Sequence, residues 1–208
     1  MEIGQAVDKS LASRVSIHRI DIRDGNGRQL SSCEIDLAVF QAAADAAMAG
    51  AHVIVHLVAH SKTGIHAPSL DAIRCLKAEM QNDVTIVVDA AQGRLAPEAY
   101  QTVLKGGSLL SLTGSKFFGG PPFCGALLVP SNCQPSGRGL KQLPSGFNDY
   151  FSRDALPESW TQLRSQCDDW FNTGLLLRWT AAIAEMTAFF QVDPEILKVV
   201  FSLSLIHI

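Results

Sequence analysis

Four short apolar runs, spaced so that helix-length segments fit between them, constrain this chain more than any other feature. They are residues 52–58 (HVIVHLV), 84–88 (VTIVV), 108–112 (SLLSL) and 126–129 (ALLV). Residues 68–80 read as a helix with Pro68 and Ser69 at its start, and residues 97–104 as a shorter one. Apolar runs alternating with helices indicate βαβ units and a mostly parallel sheet, buried on both faces. Parallel neighbours need such crossovers, so the expected fold class is α/β.

The flanks are less regular. Residues 17–22 read as a strand ended by the turn signal Asp24-Gly25-Asn26-Gly27. Residues 34–49 are alanine-rich with helical spacing, and Gly50 is a helix stop. Residues 130–165 are rich in Pro, Gly and Ser and read as irregular. Residues 169–190 read as a helix, buried or amphipathic, with Arg178 and Glu185 arguing against a membrane span. The closing VVFSLSLIHI fits poorly, and reads either as a truncated or artefactual end or as a buried strand. The expected division is an N-terminal segment 1–50, an α/β core 51–130, an irregular segment and long helix 131–200, and a tail 201–208.

Composition narrows function mainly by exclusion. Of 208 residues, 47% are hydrophobic and 18% charged, so a packed core is expected. The net charge is only −3 and the basic residues are scattered, which argues against nucleic acid and anionic membrane as partners. Five cysteines without CxxC spacing argue against a disulfide framework, and read as reduced thiols in a cytosolic protein. The first residues lack the pattern of a signal peptide.

Chemistry is expected at the carboxyl ends of the strands. Three polar segments fall there: Ala59-His60-Ser61-Lys62-Thr63-Gly64, Asp89-Ala90-Ala91-Gln92-Gly93, and Thr113-Gly114-Ser115-Lys116. Each alone is weak, since polar residues end strands in any α/β protein. Their order says more. Asp89 is followed 27 residues later by Lys116, just past the next run. A carboxylate there can keep a pyridine nitrogen protonated, and a lysine can form an imine with an aldehyde. Thr113 and Ser115 offer hydroxyls to a phosphate.

VVDAAQG followed by LTGSKFFGGPPFCGALLVP resembles the fold-type I enzymes dependent on pyridoxal 5′-phosphate (PLP). Within them it is most similar to the class V aminotransferase and cysteine desulfurase group. The resemblance implies a three-layer α/β/α large domain. It implies Asp89 at the pyridine nitrogen, Gln92 near the ring hydroxyl, Thr113 and Ser115 at the phosphate, and Lys116 as Schiff-base lysine and catalytic base. It also implies that Thr63 or His60 lines the site, an amino-acid substrate, and a homodimer. Phe171-Asn172-Thr173-Gly174 loosely resembles a segment that reaches the partner's phosphate. Ser115 stands where desulfurases usually carry His, which weakens that activity. The group's ring-stacking segment would precede residue 1, and its substrate-binding small domain would follow residue 190. Transamination, elimination and desulfuration therefore stay open. So does a non-catalytic module of the same fold, used for binding or interaction.

Competing patterns fall short. His52, His56 and His60 have the spacing of a helical zinc pair, but the residues between them argue strand. Cys124 reads as a small buried residue. The Gly-Ser-Lys order is not that of a phosphate-binding P-loop, and Gly25-Asn26-Gly27 does not continue into a dinucleotide fingerprint. A flavin- or nucleotide-binding α/β domain is the third reading.

Overall fold

The computed structural model describes residues 12–133, 143–144 and 146–204. The start of the N-terminal segment, part of the irregular segment and residues 205–208 of the tail lie outside the described residues.

Helix α1, Ser32–Met48, begins at Ser31, whose hydroxyl accepts from the Glu34 amide while the Glu34 carboxylate accepts from the Ser31 amide. Two otherwise orphaned donors are thus satisfied reciprocally. Gly50 ends it in the left-handed region at φ 79°, as its position implied. There follow β1 (Val53–Val58), α2 (Leu70–Met80), β2 (Val84–Asp89), α3 (Pro97–Lys105), β3 (Leu109–Thr113) and β4 (Gly125–Leu128). Ser69 caps α2 through the Ala72 amide, and Pro97 opens α3, where its missing N–H costs nothing.

The four strands lie in the order β1-β2-β3-β4. The first three are parallel and β4 runs antiparallel to β3. The chain is therefore α/β with a mostly parallel open sheet. Its core joins alternate strand residues, Val55, Leu57, Ile86, Val88 and Leu110, to Ile35 and Val39 of α1 and to Ile73 and Leu76 of α2. Tyr100, Val103 and Leu104 of α3 pack against the same cluster. Leu57, Leu76, Ile86 and Leu110 are fully buried. Each contributes about 1.5–3 kcal/mol relative to exposure.

The opposite face departs from the sequence reading. Among the described residues it is half-open: Ile54 is 58% exposed and His56 is exposed. The apolar runs suggested burial on both faces, yet His56 and Thr85 each place a polar residue on the face opposite the packed one. That is the pattern of a strand with one packed face. His56 lies within a strand, so the helical zinc spacing does not arise.

Three further expectations change or narrow. Residues 17–22 form no strand; an isolated bridge between Arg23 and Gln29 flanks the turn instead. Ile20 and Ile22 pack on the core without a strand to pair with. The turn itself is as read: Asp24 accepts from the Asn26 and Arg28 amides, and Gly27 sits at φ 81°. Beyond the short helix α4 (Thr161–Arg164), α5 (Thr173–Phe190) is long but buries only Ala182, with Leu176, Leu177 and Ile183 exposed. It is not a buried helix. Residues 199–204 continue helix α6 (Pro194–Ser204), so the tail's described part is no buried strand. No described helix is long and apolar enough to cross a membrane.

Candidate functional site

The strand register brings the three polar segments side by side. Val58 pairs with Asp89, and Asp89 with Ser111. Just beyond, the Ala59 amide donates to the Asp89 carbonyl at 3.0 Å, and the Ala90 amide donates to the Ser111 carbonyl at 2.9 Å. Ala59 and Ala90 are buried in the core. Strand alternation then turns Asp89, Ser111 and Thr113 toward the half-open face, and His60 follows the same alternation past the end of β1. Parallel spacing and rise place the Asp89 and Thr113 Cα atoms about 8 Å apart.

Asp89 is half-buried. One carboxylate oxygen accepts from the Ala91 amide at 2.9 Å, which fixes the turn after β2. Its other oxygen accepts nothing among the described residues. Gln92 follows on this turn, and Gly93, at φ 68°, closes it by donating its amide hydrogen to the Ala90 carbonyl at 2.8 Å. That conformation favours glycine.

At the end of β1, Ser61 organises a tight loop. Its hydroxyl accepts from the Thr63 and Ile65 amides and touches the Thr63 hydroxyl at 3.0 Å. Thr63 is exposed. The Nδ1 atom of His60 is buried and has no hydrogen-bond partner among the described residues. A buried, unpartnered ring nitrogen costs stability. Beside it stands His66, its ring centroid 6.2 Å from that of His60. His66 Nδ1 lies 2.6 Å from the Ala59 carbonyl. A carbonyl only accepts, so Nδ1 donates this hydrogen bond. The sequence reading passed over His66. Its one signal was proximity to the Thr63-Gly64 turn.

At the end of β3, the Thr113 hydroxyl donates to the Cys124 carbonyl at 2.8 Å, contacts the Ser115 hydroxyl at 2.7 Å, and accepts from the Ser115 amide. With the Thr113 proton on Cys124, the 2.7 Å contact is made by the Ser115 hydroxyl donating to Thr113, so Ser115 serves an anion only by turning its proton away from Thr113. Thr113 and Ser115 are together as expected, but Thr113 shapes the bend more than it offers a donor. Lys116 lies exposed on this bend, with no ion pair or hydrogen bond among the described residues. Gly114 and Gly120 let α5 approach: a Cβ on Gly114 would lie 2.5 Å from the Ala182 Cβ, and one on Gly120 2.8 Å from it. Cys124 is fully buried beside them. Asn172 caps α5 by accepting from the Leu175 amide, so its side-chain oxygen has a structural role.

All five cysteines are unpaired. Among the described residues, no group of three or more His, Cys, Asp or Glu side chains is arranged to hold a metal ion. No family model, curated protein or solved structure matches this chain.

Proposed function

We propose that this chain is the cofactor-binding part of a PLP-dependent enzyme acting on an amino-acid substrate, of the kind represented by class V aminotransferases. The observation that carries this reading is the placement of Asp89 and the Thr113–Lys116 bend at neighbouring parallel strand ends, with Asp89 and Thr113 on the same face of the sheet. The donor set suits the cofactor. Asp89 has a carboxylate oxygen to spare for a ring nitrogen, Ser115 has a hydroxyl that can turn from Thr113 to a phosphate, and the Lys116 amine is uncommitted among the described residues. The unpartnered His60 Nδ1 supplies a further polar contact at the adjacent strand end.

When bound, the cofactor supplies an aldehyde for covalent attachment and an aromatic ring that withdraws electrons from the substrate. Asp89 holds the ring nitrogen protonated. Lys116 would hold the cofactor through its amine and, when that amine is free, would serve as the base that moves a proton at the substrate carbon. Ser115 and neighbouring backbone amides orient the phosphate. Thr113, through Cys124, fixes the bend on which Ser115 and Lys116 ride. In this reading further helices cover the half-open face, completing three layers, and the enzyme works as a homodimer.

The test is spectroscopic. Wild-type protein with saturating PLP gains visible absorption, and borohydride fixes the cofactor to Lys116 in a peptide map. Lys116→Ala loses both signals. Asp89→Asn keeps attachment and loses turnover. A wild-type protein that neither absorbs nor becomes labelled would sink the proposal.

A further inference from the structure

Two adjacent aromatic side chains past Lys116 touch the turn that carries Asp89: Phe117 through its Cβ, 3.4 Å from where a Cβ on Gly93 would stand, and Phe118 more closely through its ring. Phe118 lies two residues past Lys116 and is buried. Its Cε2 is 3.0 Å from where a Cβ on Gly93 would stand, and its Cδ2 is 3.4 Å from that point. Gly93 closes the turn that carries Asp89 and Gln92. On its other sides the Phe118 ring meets Phe117, Phe189 and Phe190, with centroids 5.2, 5.5 and 5.8 Å away. Phe117 in turn packs edge-on against Phe189 at 5.1 Å. Phe189 belongs to the stripe of α5 that includes Ala182, the residue seated against Gly114 and Gly120. The Lys116 bend is thus clamped from one side by α5. It is spaced from the Asp89 turn by a ring edge on a glycine. Aromatic packing of this kind is directional and resists compression.

We propose that Phe118 is a positioning residue that sets the separation between the Lys116 bend and the Asp89 turn, so that a ring held by Asp89 meets the lysine amine. The cofactor half of this statement rests on the function proposed above. The mechanical half concerns only this chain.

The variant is Phe118→Leu, which keeps an apolar side chain but removes the ring edge over Gly93. Two readouts are compared. The first is affinity for PLP, which needs Lys116, against affinity for pyridoxamine phosphate, which needs Asp89 and the phosphate donors but forms no bond to the lysine. Phe118→Leu weakens PLP binding about tenfold and leaves pyridoxamine phosphate nearly unchanged. A Leu76→Val control with a similar loss in Tm leaves the ratio where it was. The second readout is hydrogen exchange without cofactor. The Gly93 amide, bonded to Ala90, and the Gly120 amide, bonded to Gly114, lose protection together in Phe118→Leu, by about tenfold. Equal weakening of both ligands, or loss of protection in one loop only, overturns the positioning role. If wild-type protein binds neither ligand, the proposed function fails, and the exchange measurement alone decides whether Phe118 couples the loops.

Discussion

The two faces of the sheet are made by alternate residues of the same four strands, yet they have different tasks. On the helix-packed face Leu110 is 0% exposed, and its neighbours Val88 and Leu128 join the same core. On the other face Leu127 is 51% exposed, and Thr85, Asp89, Ser111 and Thr113 share it. One face is specified by volume and the other by polar groups near the strand ends. Under the proposed function, stability and chemistry would therefore be separable at single-residue resolution.

The largest effect expected follows directly. Leu110→Ala opens a cavity between α2, α3 and the sheet and costs about 2–5 kcal/mol. Leu127→Ala, the same chemical change on the half-open face, costs under about 1 kcal/mol. Urea unfolding of the pair decides this, and equal losses would show that the second face is also packed. A smaller effect tests the join between the Lys116 bend and α5. Gly114→Ala costs about 1–3 kcal/mol, because its methyl must displace Ala182 or the Cys124 sulfur. Adding Ala182→Gly recovers part of the loss, and a double-mutant cycle with no coupling would refute that contact. Smaller again, Ser69→Ala removes the cap of α2 on the packed face and costs about 1 kcal/mol. Its loss should appear in Tm with cofactor affinity unchanged; a change in affinity would blur the division between faces.

The smallest is a pH effect. Burial on the helix side pushes the Tyr100 phenol above its usual 10.0. The unfolded chain ionises first, so the stability tied to the neutral phenol is intact below pH 10.0 and is lost as pH rises through the folded value. Tyr100→Phe should lack this alkaline decline. Lys77, whose burial pushes its ammonium below the usual 10.5, is common to both proteins and cancels in the difference. Urea midpoints at about pH 8 and pH 11 measure it. Parallel declines would place the phenol in water.

The central α/β unit was legible because its signals are local. β-Branched runs, Ser69 before Leu70, Pro97 at a helix start and Gly50 after a helix each act through the backbone nearby. Residues 17–22 misled because a strand needs a neighbour, and no run of residues states whether one is there. The half-open face was hidden because Val and Ile at 53–55 look alike whichever way they point; the polar residues at 56 and 85 held the information. At the candidate site, the neighbouring placement of Asp89 and the Thr113–Lys116 bend was legible from the order of the strands. The commitment of Thr113 to Cys124 was not, because it depends on β4 returning antiparallel beside β3. His66 and Phe118 were missed for the same reason, since their roles come from contacts across loops.

The close seat of Ala182 against Gly114 and Gly120 also has a history written into it. None of the three positions can gain a methyl while the other two stay as they are, so substitution at one is admissible only alongside a retreat of the helix. Residues 114, 120 and 182 should drift as a locked set among descendants of this chain, while exposed Leu176 and Ile183 on the same helix vary freely.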